Sequence, residues 1–307
     1  YIRRFSPYAI YSEKKLNLNS KNESLFEYSF FYFLSDSNNL VSKYPYLLLT
    51  TSGSTGSPKV VVISKENLYA NTDAIINYLQ ISSKDKYISS LPMNYTYGLS
   101  CLNTHLVSNS SIVLTNNSLL SNEYWQLFKD SKPNTFAGVP YSYEIICKLG
   151  LNKLPLNSIE KFTQAGGKLS EKYLNLMIDY IKKHNKEFFV MYGQTEATAR
   201  MSYLPSEKLQ EKIGSIGIPI PNGEFTIDFQ IDYPKHKGQQ IGELIYRGPN
   251  VTSGYAKNFY DLNKHKSPSE ELRTGDLAYK DKDNYYYICG RINRFAKING
   301  YRISLDD

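Results

Sequence analysis

Cysteine is scarce in this sequence. Its three cysteines, Cys101, Cys147 and Cys289, lie far apart, with no CxxC spacing and no histidine pair nearby. That argues against a zinc site and a disulfide framework, and for a reducing compartment. Long apolar runs are missing as well. The most apolar stretch, "LFEYSFFYFL" at residues 25–34, carries Glu27 and is too short to cross a bilayer. Nothing at the start resembles a secretory signal, so a cytoplasmic protein without a membrane span is expected. Charge is not strongly of one sign: the net value is +7, from lysines scattered along the chain. The densest basic run, Lys182-Lys183-His184-Asn185-Lys186, closes a predicted helix, where cations suit the helix dipole. It reads as a solvated helix end rather than a nucleic-acid patch, and an anionic small ligand suits the positive balance. An initial methionine is also lacking. The chain opens on Tyr1 and stops at "YRISLDD", so a longer gene product is expected.

What is present is abundant aromatic surface and a repeating order of elements. The 307 residues suffice for one large domain or two ordinary ones, and 28 Tyr with 14 Phe add buried area to a 41% hydrophobic content. From about residue 46 to 200, short apolar runs alternate with helical periodicity. "YLLLTT" and "VVVI" read as strands, and "YISSL", "SIVL", "TFAGV", "KFTQA" and "EFFVMY" continue the pattern. Helices are predicted after Ser64, with Leu68, Thr72, Ile75, Ile76 and Leu79 on one face, and near residues 122–129, 143–149 and 170–184. Such alternation implies a layered α/β domain with a largely parallel sheet, where ligands gather at the carboxyl ends of the strands. After about Met201, "GEFTIDFQID", "GELIYRG" and "DNYYYICG" are short alternating runs between turn residues, which predicts a smaller β subdomain.

One loop stands out. In "LLTTSGSTGSPKVVV", residues 48–62, nine consecutive polar, glycine or proline residues run from Thr50 to Pro58. Gly53 and Gly56 let the backbone approach a ligand closely. Thr51, Ser52, Ser54 and Thr55 offer hydroxyls, successive N–H groups can form an anion nest, and Lys59 adds a positive charge. It is not a Walker A loop, because proline precedes the lysine and valine follows it. On composition alone a phosphate cradle and an ordinary surface turn are equally good readings.

The whole string is more specific. "TSGSTGSPK" resembles the phosphate-loop signature of the adenylate-forming superfamily, which includes acyl-CoA synthetases, peptide-synthetase adenylation domains and luciferases. "AGGKL" (165–169), "YGQTEAT" (192–198), "GSIGIPIPNGEFTI", "GELIYRGPNVTSGY" and "RTGDLAYKDKDNYYYICGRINRFAKINGYRI" resemble its remaining central motifs, in their usual order. "LPMNYTYGL" and "TFAGVPYSYEII" fall where its acid-pocket segments belong. The resemblance implies a layered large domain with parallel-rich sheets flanked by helices, plus a smaller β-barrel-like subdomain. Residues 1–200 would form the ATP- and acid-binding part, 201–292 the β subdomain, and 293–307 the hinge and the start of a further domain.

It also implies an activity: a carboxylic acid is joined to the α-phosphate of ATP with release of pyrophosphate, and the acyl group then passes to a thiol. That thiol would belong to CoA or to the phosphopantetheine of an acyl or peptidyl carrier protein. By resemblance, Thr51, Ser52, Gly53, Ser54, Thr55, Gly56 and Lys59 would cradle the outer phosphates. Thr195 would contact the α-phosphate, and Glu196 would hold Mg2+. Tyr192 and Gly193 would lie against the adenine, with Gly166, Gly167 and Lys168 beside it. Asp276 and Arg291 would bind the ribose, with Ile288 nearby. Tyr95, Tyr97, Gly98, Val139 and Pro140 would line the acid pocket, and Asn293 would be the hinge. Taken singly, Asp276 reads as a turn residue, Arg291 as a surface ion pair, Glu196 as a helix-start acid and Tyr192 as core; only the ordered set favours the functional roles.

Three departures qualify the resemblance. Tyr95 stands where many acyl-activating relatives carry histidine. No acid occurs between Lys86 and Asn122 to pair with a substrate ammonium, which favours an organic, fatty or aryl acid over an α-amino acid. The chain ends fourteen residues after Asn293, before the domain that carries the family's adenylation lysine, so slow adenylation by this stretch alone is expected. A non-catalytic nucleotide-binding relative and an amide-forming or amino-acid-activating ligase remain alternatives.

Overall fold

The computed structural model describes residues 9–12, 21–26, 29–33, 47–50, 60–231, 233–262, 269, 271–292, 295–298 and 301–304. In chain order the first strands are β1 (Ala9–Ser12), β2 (Lys21–Phe26), β3 (Ser29–Phe33), β4 (Leu47–Thr50), β5 (Val60–Ile63), β6 (Lys86–Ile88), β7 (Ser111–Val113), β8 (Thr135–Gly138), β9 (Lys161–Gln164) and β10 (Glu187–Tyr192). They are followed by β11 (Ser202–Leu204), β12 (Ile218–Pro219), β13 (Glu224–Asp228), β14 (Gly242–Arg247), β15 (Tyr255–Ala256), β16 (Glu271–Lys280), β17 (Tyr286–Arg291), β18 (Phe295–Ile298) and β19 (Tyr301–Ser304). The helices are α1 (Lys65–Leu79), α2 (Thr96–Val107), α3 (Asn122–Ser131), α4 (Pro140–Leu149), α5 (Glu171–His184) and α6 (Phe259–Leu262).

Two compact units divide the chain: Tyr1–Lys65 with Ser253–Pro268, and Glu66–Thr252 with Ser269–Asp307. In the first, β5 is buried along its length, pairs antiparallel with β4 on one side and meets β15 on the other. Val60, Val62, Ala256 and Leu262 make its small apolar cluster. The loop singled out above, Thr51 to Lys59, joins β4 to β5 in sequence and lies outside the described residues, as does Asn293.

The second unit is built on a seven-stranded sheet of order β12-β11-β10-β9-β8-β6-β7. Strands β6 to β10 run parallel, and β11 and β12 add an antiparallel edge. Side chains alternate across it, as strand geometry requires. Ile88, Phe136, Phe162 and Phe188 join one core with Tyr124 and Phe128 of α3, Tyr143 and Ile146 of α4 and Met177 and Ile181 of α5. Tyr87, Ala137, Phe189 and Met191 face the other way, onto Ile75 and Tyr78 of α1 and Tyr97 and Cys101 of α2. Helices therefore cover both faces, the layered α/β arrangement the alternation implies. The helix boundaries follow local chemistry. Ser121 accepts a cap hydrogen bond from Tyr124 N at 3.2 Å, Pro140 opens α4, and α5 ends at Asn185 with φ 49°. At that end Lys186 is spent on the Asn157 and Ile159 carbonyls.

The later strands β13-β14-β16-β17 form an antiparallel four-stranded sheet, whose Phe225, Leu244, Tyr246, Ala278 and Tyr286 pack with Ala197, Met201, Ile216 and Val251. No barrel closure is seen among the described residues. Likewise, no helix among them is long and apolar enough to cross a membrane.

Candidate active site

Neighbouring parallel strands deliver most of the site. The chain passes from β6 through α2 to β7 on one side, then through α3 to β8 on the other. Strand order reverses there, and such a reversal opens a crevice at the carboxyl ends. The segments leaving those ends carry Tyr95, Tyr97 and Gly98 (after β6), Val139 and Pro140 (after β8), Gly166, Gly167 and Lys168 (after β9), and Gly193, Thr195 and Glu196 (after β10).

The four-stranded sheet supplies the remaining members. Asp276 and Arg291 are register partners on β16 and β17. A bulge on β16 around "TGD" contains Gly275 at φ 70°, a conformation natural to glycine, and it re-aims Asp276. Asp276 is 2% exposed. Its Oδ2 accepts from Tyr192 Oη at 2.6 Å and Gln194 Nε2 at 2.9 Å, and its Oδ1 accepts from Arg291 Nε at 2.7 Å. Burial, then the Asp276 charge, push the Tyr192 phenol well above its ordinary range, so it remains a donor. Gln194 also donates to Thr274 O at 3.0 Å, and Ile288 packs beside this sheet's core. Among these residues, Gln194 and Thr274 were invisible in the sequence, where Gln194 is only the variable position of "YGQTE".

The loop after β10 is tightly held. Thr195 opens a single 3-10 turn with Glu196 and Ala197, and its Oγ1 lies 2.9 Å from Thr96 Oγ1 at the start of α2. Thr198 follows at φ 63°, strained for a β-branched residue, and its hydroxyl donates to Asn250 O at 2.7 Å. Asn250, 1% exposed, donates to Ala197 O at 2.8 Å and Arg200 O at 2.9 Å and accepts from Tyr246 Oη at 2.8 Å. Asn71 of α1 donates to Arg200 O at 2.8 Å as well. Asn250→Ala should therefore lower stability by about 2–3 kcal/mol in urea unfolding, because buried carbonyls lose their donors.

Over the crevice, Tyr95 is 38% exposed, and its hydroxyl sits where a Cβ on Gly166 would meet it at 2.5 Å. Gly166 has φ 84°, with Val139 also close, and Pro140 approaches Gly167. Buried Gln164 donates to Gly167 O at 2.8 Å and pins this turn. Lys168 is exposed. Tyr97 is buried, donating to Thr163 O at 2.7 Å, and Gly98 lies under the Pro92 carbonyl.

Sequence reasoning missed the residue at the base of this cluster. Arg200 is 2% exposed, with its guanidinium 3.8 Å from the centre of the Tyr97 ring. Its Nε–H has no acceptor, and no carboxylate pairs with it among the described residues. Burial pushes the Tyr78 phenol up to about 12, against the pull of Arg200, and raises the Tyr97 phenol and the Cys101 thiol too. All three stay neutral near pH 7 and bring no negative charge. A desolvated cation–π contact contributes about 2 kcal/mol, short of the several kcal/mol that burying an ion costs.

Comparison with known proteins identifies the family and the fold. The family described as AMP-binding enzyme matches residues 9–256. A 4-coumarate–CoA ligase-like protein of Oryza sativa subsp. japonica is 28% identical, over 84% of this chain and 47% of its own length. A D-alanine–D-alanyl carrier protein ligase of Bacillus licheniformis is 26% identical, over 85% of this chain and 53% of its own. The O-succinylbenzoate coenzyme A synthetase of Bacillus subtilis, solved in complex with ATP and magnesium ion, superposes with a TM-score of 0.69 at 25% identity, covering 84% of this chain and 52% of that one. The chain thus spans about half the length of the relatives it matches.

Proposed function

Since this chain belongs to the AMP-binding enzyme family, we propose that it binds ATP and a carboxylic acid and serves an acid–thiol ligase. A carboxylate oxygen of the acid attacks the α-phosphorus and the bond to pyrophosphate breaks; a thiol of CoA or of carrier-protein phosphopantetheine, losing its proton, then attacks the acyl carbon, and the acyl–phosphate bond breaks to release AMP. The observation that carries this reading is the Asp276 carboxylate, buried between Tyr192, Gln194 and Arg291. Three of its roughly four acceptor sites are held by these donors, so a ribose hydroxyl would take the remaining site on Oδ1 and its neighbour would displace one of the donors.

The other residues take their parts around it. Tyr192, Gly193 and the Gly166–Gly167 turn flank the adenine, and Thr195 receives the α-phosphate. Glu196 would hold Mg2+. Among the described residues no cluster of three potential ligands gathers, and Mg2+ commonly binds through one carboxylate, phosphate oxygens and water. That ion would neutralise charge on the phosphates during displacement. The residues Thr51 to Gly56 and Lys59 would hold the outer phosphates, and Asn293 would be the hinge. A cytoplasmic setting suits both acceptors.

The test is ATP–pyrophosphate exchange by the full-length protein with a panel of acids, beside AMP titration. Exchange that depends on one acid class supports the reading. Absence of both exchange and nucleotide binding would sink it, and binding without exchange would favour a non-catalytic relative.

A further inference from the structure

We infer that Arg200 is a specificity-determining residue, and that the acid this protein activates carries a second carboxylate at its far end, received by the Arg200 guanidinium. The inference rests on the acid-activating reading above and names the substrate class of that site. A fully buried arginine normally has an anionic partner. Here Arg200 has a ring face at 3.8 Å, hydrogen bonds only to the neutral Tyr78 and Cys101 side chains, and an Nε–H without an acceptor. No Asp or Glu occurs between Lys86 and Asn122, the segment that carries Tyr95 and Tyr97.

The position of the guanidinium separates it from the reacting end. Thr96 and Tyr97 are consecutive at the start of α2, so their side chains diverge by about 100° around the helix. Thr96 meets Thr195, the residue assigned to the α-phosphate, whereas Tyr97 carries Arg200. Tyr95, half-exposed above Gly166, lies edge-on to Tyr97 with ring centres 6.3 Å apart. An acid with its reacting carboxylate toward Thr195 therefore presents its other end to the guanidinium. The planar fork of arginine matches a carboxylate with two parallel hydrogen bonds.

The experiment is ATP–pyrophosphate exchange by the full-length protein with acids offered in pairs, each monocarboxylate against the dicarboxylate of equal length, in straight-chain and aromatic series. The wild type should favour the dicarboxylate by about tenfold or more in kcat/KM. Arg200→Met should remove that preference, mainly by raising KM for the dicarboxylate, while changing the monocarboxylate by about threefold or less. Arg200→Lys should fall between, keeping charge without the fork. A wild type that takes monocarboxylates as well as dicarboxylates would overturn the inference alone, as would an Arg200→Met enzyme that loses every acid alike. The wild-type comparison decides even where Arg200→Met fails to fold. Absence of exchange with every acid would overturn the acid-activating reading together with it.

Discussion

Asp276→Ala is expected to weaken AMP and ATP binding by about a hundredfold or more, equivalent to about 2.7 kcal/mol, and to abolish ATP–pyrophosphate exchange. Two causes act together. On the proposed function the ribose loses its acceptor, and the groups that held that acceptor lose theirs. Tyr192 and Gln194 both donate to Oδ2, and Arg291 donates to Oδ1. Hydrogen bonds to a charged group contribute about 1.5–3 kcal/mol, and the half-buried Tyr192 loses its acceptor, whereas the exposed Arg291 can turn to water. Asp276→Asn is the sharper control. Donors approach both oxygens, so an amide can satisfy one side only and must set its own NH2 against the other. We therefore expect the asparagine variant to bind nearly as poorly as the alanine variant, while the conservative change Arg291→Lys retains part of the affinity. Isothermal titration with AMP measures all three. Near-normal affinity in Asp276→Asn would show that the carboxylate charge is not what holds the nucleotide.

Gly193→Ala is expected to be as damaging, by a route that removes no hydrogen-bonding group. A Cβ at position 193 would lie 1.7 Å from the Ala199 carbonyl oxygen and 2.6 Å from its carbon. Both are backbone atoms, so a side-chain rotation cannot relieve the clash. The segment from Thr195 to Arg200 must move, and it is already tied down by Asn71 and Asn250. Overpacking of this kind costs about 3 kcal/mol, seen as a lower urea midpoint with an unchanged slope. Because the same shift displaces Thr195 and Glu196, exchange activity should fall by about a hundredfold even in the fraction that remains folded. A stable, fully active Gly193→Ala protein would mean that Thr195 and Glu196 do not depend on this close approach.

The alternation of strands and helices was legible because strand and helix periods leave different marks on a sequence, and β6 to β10 formed where short apolar runs occur. The face of α1 was legible only in part. Leu68, Thr72, Ile75, Ile76 and Leu79 make a reasonable stripe, yet the buried set also includes Asn67, Asn71, Ala74 and Tyr78. Asparagine reads as polar surface in a sequence. Here Asn67 donates to the Pro249 and Val251 carbonyls and Asn71 to that of Arg200, partners 182, 184 and 129 residues away. No local pattern records such a partner. Helix α2 begins at Thr96, and its first turn packs so closely that a side chain at Gly98 would meet the Pro92 carbonyl.

The sequence by itself determined the layered α/β class, because strand and helix periods differ, whereas Thr195, Glu196, Asp276 and Arg291 became candidates only through the ordered motifs that resemble a known family. Which groups hold one another was decided only by the tertiary structure. Asp276 is pinned by Gln194 from the loop after β10, and Thr195 by Thr96 from a different strand end. Arg200, unremarkable as the last letter of "TEATAR", becomes a buried cation facing Tyr97. A charge is costly or useful according to what surrounds it in space, and sequence order does not state that.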